Sequence, residues 1–147
     1  MEITEALKAD HEKLKSLIAT VNDSEDAAEI KTAFTEFAEL LGKHAKAEEK
    51  VVYDALIGTS DEEVEKDAYE GYTEHFLADS LLKKLEAGVD PTGPEWKAEA
   101  QVMQEILEHH IEEEEDKIFE DVEDNFEDDQ REAMGTEFAR LKETIAA

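Results

Sequence analysis

Two stretches of the chain set a histidine four residues ahead of a glutamate, with a second acid directly behind. They read His44-Ala45-Lys46-Ala47-Glu48-Glu49 and His110-Ile111-Glu112-Glu113-Glu114-Glu115. Residues four apart share one face of a helix, so each pair offers an imidazole nitrogen and a carboxylate oxygen to the same point. Nitrogen and oxygen donors without sulfur suit iron or manganese, and zinc as well. The chain has no cysteine, which excludes disulfides, iron–sulfur clusters, Cys-based zinc sites and a Cys nucleophile.

Two further histidines fall on apolar stripes. His11 lies four after Leu7 and three before Leu14, within a run Ile3, Leu7, Leu14, Leu17, Ile18, Val21 whose steps of three and four predict an amphipathic helix over about 3–21. His75 sits among Val64, Tyr72, Phe76 or Leu77, Leu81, Leu82 and Leu85, on a helix predicted to open at a capping box, Ser60-Asp61-Glu62-Glu63, and to end near Gly88. His44 and Glu48 lie on the inner face of a helix from about 25 to 57, marked by Ile30, Phe34, Phe37, Leu40, Leu41, Val51, Val52 and Leu56 and closed by Gly58. Asn22-Asp23-Ser24 supplies its break and cap. His110 belongs to a helix from about 94 to 122 that opens at Thr92-Gly93-Pro94, a cap followed by a first-turn proline, and turns Trp96, Met103, Leu107, Ile111, Ile118 and Val122 inward. The second and fourth helices also repeat one another: Leu40-Leu41, His44, Glu48-Glu49, Val52-Tyr53 aligns without a gap on Ile106-Leu107, His110, Glu114-Glu115, Ile118-Phe119.

One buried imidazole is ordinarily a core histidine with a hydrogen bond. Four at comparable depth, one per helix, need a common partner, and a metal is that partner. A glutamate is ordinarily a solvated charge, the reading given to Glu49, Glu112, Glu113 and Glu115. It fails for Glu48, because Leu40, Leu41, Val51 and Val52 ring His44 on the buried face, where an unpaired carboxylate is costly. The expected metal residues are therefore His11, His44, Glu48, His75, His110 and Glu114, suited to two cations bridged by carboxylate oxygens. His109, the fifth histidine, is about 100° off the stripe and expected outside the site. Tyr53, Tyr69 and Tyr72 are expected as bundle residues, with a tyrosine near a metal pair able to ligate it or quench radicals.

Four long helices with short connections predict an all-α fold, an up-down-up-down antiparallel four-helix bundle over 1–123. A short amphipathic tail helix within 124–147, carrying Met134, Phe138, Leu141 and Ile145 on one face, is expected to pack on the same domain. The length of 147 residues suits one domain. Forty-two acids against 15 bases give a net charge of −27, a surface that phosphate backbones and anionic lipid repel, so neither nucleic acid nor membrane is an expected partner. With an acidic N-terminus and no long apolar run, a cytoplasmic protein is expected.

The Glu-x-x-His motif of ferritin-like bundles is absent: Lys8, Leu41, Tyr72, Ile106 and Leu107 stand three before the histidines. The order present, His, His-x-x-x-Glu, His, His-x-x-x-Glu, resembles the hemerythrin-like HHE cation-binding family over roughly 3–122. The likeness is carried by Asp10-His11, His44 to Glu49, Glu74-His75 and His109-His110 to Glu115, and the tail from Ala133 to Lys142 is similar to the C-terminal helix of bacterial members. The resemblance implies two iron ions, a non-heme di-iron centre with an oxo or hydroxo bridge. His11 and His44 would hold one iron, His75 and His110 the other, with Glu48 and Glu114 bridging. It further implies binding of a small molecule such as O2, peroxide or NO, with peroxide breakdown, ferroxidase-like chemistry or a sensor role as alternatives. Oxygen-carrying members have a second histidine four residues from the first in the third helix, where this chain has Gly71 and Asp79. Asp79 or water would fill that place, and the extra open position favours redox turnover over simple carriage.

Overall fold

The computed structural model describes residues 1–145, all of them helical or in short connections, with no strand among them. Five helices make a bundle. The first, α1, spans Ile3–Asp23, with the Glu2 side chain accepting from the amides of Thr4 and Glu5 at its start. The second, α2 (27–57), is α-helical over Ala27–Glu48, π-helical over Glu49–Tyr53 and α-helical again over Asp54–Ile57. The third, α3, is Glu62–Ala87. The fourth, α4 (94–125), repeats the pattern of α2: Pro94–Glu113, a π-helical turn Glu114–Ile118, then Phe119–Asn125. The tail helix α5 is Asp128–Thr144, so the last two residues of the expected tail span 124–147 lie outside the described residues.

Local chemistry sets the ends, with two shifts from the expected caps. Asp26, not Ser24, caps α2. Asp61 caps α3 by accepting from the amides of Glu63 and Val64, while Ser60 takes the turn with φ 65°. Gly93 precedes Pro94 at the start of α4, where the missing proline N–H has no intrahelical partner to lose.

Helix α1 packs along α2 and α4, α3 packs along α4 and meets α2 around its π-turn, and α5 lies against α1 and α2. Two apolar clusters result. One gathers Leu14, Ile18, Phe37, Trp96, Met103 and Leu107; the other gathers Ile3, Leu7, Val52, Leu56, Val122 and Phe138. Between them lies a layer of buried polar side chains: Asp10, His11, His44, Glu48, His75 and Glu114. Each fully buried Leu, Ile or Phe in the flanking clusters contributes about 1.5–3 kcal/mol, which offsets the cost of the polar layer. Phe76 and Leu77, either of which the α3 stripe could have turned inward, are both exposed. No described helix is long and apolar enough to cross a membrane.

Candidate metal centre

The six residues expected as ligands come together at the middle of the bundle. Ligand atoms of His11, His44, Glu48 and Glu114 all lie within 4.8 Å of one another, and so do those of Glu48, His75, His110 and Glu114. Glu48 and Glu114 belong to both groups. Inner nitrogens face these two carboxylates: His11 Nε2 stands 3.1 Å from Glu114 Oε1, His75 Nε2 3.1 Å and His44 Nε2 3.5 Å from Glu48 Oε1, and His110 Nε2 3.3 Å from Glu114 Oε2.

These contacts do not satisfy the site. Glu48 is 0 % exposed, yet neither of its carboxylate oxygens has a hydrogen-bond partner, and Nε2 of His110 has none either. A carboxylate withdrawn from water without donors is among the costliest arrangements a core can contain. The orphaned atoms are a carboxylate pair and an imidazole nitrogen, the donors that a divalent or trivalent cation of the iron or manganese type takes. The residues fit such ions.

A second ring of carboxylates surrounds the first. Each of the four clustered histidines donates its outer Nδ1–H to an acid on the preceding helix around the bundle: His44 to Asp10 of α1 at 2.8 Å, His75 to Glu49 of α2 at 2.9 Å, His110 to Glu74 of α3 at 2.6 Å, and His11 to Glu115 of α4 at 2.8 Å. An ionised carboxylate only accepts, so it keeps a proton on Nδ1 and leaves Nε2, turned inward, as the nitrogen that would give up its proton to a cation. It also makes that nitrogen a stronger donor to a metal. Glu49 and Glu115, expected as solvated charges, are thus corrected to partners of the site's histidines. The geometry explains the paired acids: Glu48 and Glu114 point inward, and the residue after each, about 100° around the helix, points sideways to the neighbouring histidine. Both π-turns begin at these pairs, and π-turns inside α-helices frequently sit at functional sites. No periodicity in the sequence signals them.

Tyr53, expected as a bundle residue, is one, and it also reaches the cluster. It is 0 % exposed, and its hydroxyl donates to Glu114 Oε2 at 2.5 Å and stands 3.4 Å from His75 Nε2. The space for its ring comes from Gly71, where a Cβ would meet the ring Cζ at 2.4 Å. Gly71 is the position four before His75 where a second histidine was sought. Asp79, the other candidate, is exposed and pairs with Lys83 at 3.4 Å. His109 is exposed as expected and pairs with Glu113 at 3.6 Å.

The charge state follows from these contacts. Burial lowers the affinity of His44 for a proton, but the facing Glu48 and the hydrogen bond to Asp10 outweigh it and lift its pKa to about 9. Burial is likewise outweighed at His75 by Glu48 and Glu49, and at His110 by Glu114 and Glu74, so both are raised. Burial and the neighbouring Glu114 and Glu48 push the Tyr53 phenol well above its usual value. Without a cation, protons hold this site together. All four imidazoles also line a cavity of about 20 Å³ that is otherwise mostly apolar, with Leu14, Leu41 and Ala78 among its walls. That is room for a molecule of about the size of water.

A four-histidine, two-glutamate cluster across the helices of a bundle defines a cation-binding helical domain. The chain matches the family profile described as the hemerythrin HHE cation-binding domain over residues 2–122, and it belongs to that family. It is also 30 % identical, over 145 residues, to a protein named DNA nickase from Nostoc sp. (strain PCC 7120 / SAG 25.82 / UTEX 2576). That match takes in 99 % of this chain and 40 % of the relative, so the chain spans well under half of that protein's length. No solved structure matches it.

Proposed function

We propose that this chain binds two iron ions and uses the pair to take up O2 or a related small oxidant such as peroxide or NO. In this reading the bundle runs up-down-up-down; His11 and His44 hold one ion, His75 and His110 the other, and Glu48 and Glu114 bridge them. The carrying observation is the fully buried Glu48, whose oxygens make no hydrogen bond, beside four histidines whose inner nitrogens converge on two carboxylates. A bound iron pair supplies one-electron redox steps and open coordination positions. The chain's own residues do the rest. The outer carboxylates hold each imidazole by Nδ1, the two apolar clusters keep bulk water away, and the small cavity at the four rings has room for a small ligand.

Tyr53 takes the place left by the missing histidine. In the metal-free chain its hydroxyl donates to Glu114. With iron bound, loss of that proton would make the phenolate a ligand on the His75 side, leaving fewer open positions than the absent histidine alone suggests. The test is iron content and a visible spectrum of reconstituted protein, followed by anaerobic reduction and exposure to O2, peroxide and NO. Two irons per chain and a spectrum that responds to one of these ligands support the reading.

A second reading comes from the relative named DNA nickase: a metal pair serving phosphodiester cleavage. The net charge of −27 opposes a DNA surface on this chain. Supercoiled plasmid incubated with metal-loaded protein distinguishes the two, since conversion to the nicked circle that disappears in His44→Ala selects the second.

A further inference from the structure

The helix α5 lies outside the matched family region, which ends at residue 122, yet it reaches the site. Lys142, in its last turn, donates through Nζ to both oxygens of Asp10, at 2.8 and 2.9 Å. The same Asp10 accepts from Nδ1 of His44 at 2.8 Å. One turn earlier on α5, Phe138 sets its ring edge-on to His44, 5.6 Å between centroids, and Lys142 Nζ lies 4.8 Å from the Phe138 ring. Two residues four apart on one helix face therefore grip the Asp10–His44 pair from outside. At the middle of α5, Gly135 packs so closely on the N-terminus that a Cβ there would run into the Met1 carbonyl oxygen, which leaves the helix no room to shift along its neighbours.

From this geometry we infer that Lys142 is a positioning residue of the metal centre, and that docking of α5 is coupled to occupation of its His11/His44 half. The inference rests on the metal reading given above. Asp10 is buried, and His44 and Lys142 are the side chains that bond its carboxylate. With the ammonium held on both of its oxygens, Oδ2 keeps a proton on Nδ1 of His44 and turns Nε2 towards Glu48. A neutral side chain at 142 frees Asp10 to turn to solvent, and His44 loses its orientation. Coupling of this kind is reciprocal: an ion that needs His44 oriented favours the docked helix, as the docked helix favours the ion.

The test is a cobalt(II) titration of metal-free full-length protein, read by its visible absorption, on wild type, Lys142→Met, Lys142→Arg, Asp10→Asn and the Asp10→Asn/Lys142→Met double variant. Hydrogen exchange of α5 is followed with and without the metal. Wild type is expected to take two ions and to slow exchange in α5 on loading. Lys142→Met weakens one of the two binding steps by about 10- to 100-fold, the usual effect of losing an outer-shell partner, and leaves the other step within about twofold. Asp10→Asn does the same, the double variant is no worse than either single one, and Lys142→Arg restores most of the affinity. A merely structural role for Lys142 lowers the melting temperature without separating the two steps. Equal weakening of both steps, unchanged steps, or additive effects in the double variant overturn the inference while leaving the metal reading in place. A wild-type chain that takes up no cobalt overturns both.

Discussion

Gly71 of α3 lies directly beneath the ring of Tyr53 from α2: a Cβ at position 71 would stand 2.4 Å from the ring Cζ and 2.6 Å from the hydroxyl oxygen. The two positions are complementary, since the absence of a side chain on one helix makes room for a phenol on the other. That phenol reaches the buried carboxylate Glu114. The space that a side chain at position 71 would take is filled by a phenol from the neighbouring helix.

Gly71→Ala should therefore destabilise the chain through overpacking, by about 1–3 kcal/mol, as measured by urea unfolding. In a Tyr53→Ala background the added methyl meets no ring, and its cost should largely vanish. An equal cost in both backgrounds would mean that the contact does not govern position 71.

Tyr53→Phe removes the hydroxyl and keeps the ring. The apo protein should lose about 1–3 kcal/mol, the cost of leaving buried Glu114 without that donor. If the phenolate joins the iron, the ferric wild type shows a visible charge-transfer band that Tyr53→Phe lacks and Tyr72→Phe keeps. Tyr72 bonds Asp54 instead, at the exposed side of the helix pair.

The metal-free chain should lose stability as it becomes alkaline. His44 is raised from 6.5 to about 9 in the folded state, and His75 and His110 are raised as well. A raised folded-state pKa contributes stability that is complete below the unfolded value and is lost as pH rises through the folded one. For His44 that window runs from about 6.5 to about 9, and thermal melts across it should show a fall in the apo protein. A cation replaces those protons, so the loaded protein should show a flatter profile, and loading near pH 7 should release protons measurable with an indicator dye.

The outer carboxylates predict a graded series. Glu49→Gln and Glu74→Gln each remove the charge that faces a histidine Nδ1, and metal affinity should fall about 10- to 100-fold. Glu112→Gln, exposed on the same helix as Glu114, should leave affinity unchanged in the same equilibrium dialysis.

The inner cluster was legible because each of its six residues interrupts an apolar stripe, and periodicity alone then turns it inward. The outer ring was not. Glu49 and Glu115 sit one residue off the stripe, where a solvated charge is the usual reading, and their partners His75 and His11 are on other helices. Tyr53 was expected as a bundle residue, with no tyrosine singled out as the one near the metal pair, because its proximity to Glu114 depends on Gly71 and nothing in the sequence links positions 53 and 71. The faces of Phe76 and Leu77 were ambiguous for a related reason. A groove of about 880 Å³ with Phe76 on its wall, lined by residues of α2 and α3, leaves part of the α3 surface without a neighbour. The link between Lys142 and Asp10 spans 132 residues and could come only from packing.

The most direct test of the central claim is metal content per chain, after iron reconstitution and removal of loosely bound ions, for wild type, Glu48→Ala and Glu114→Ala. Two irons in wild type and one or none in each variant is the predicted result. A wild-type chain that retains no iron, or variants that retain two, would contradict it.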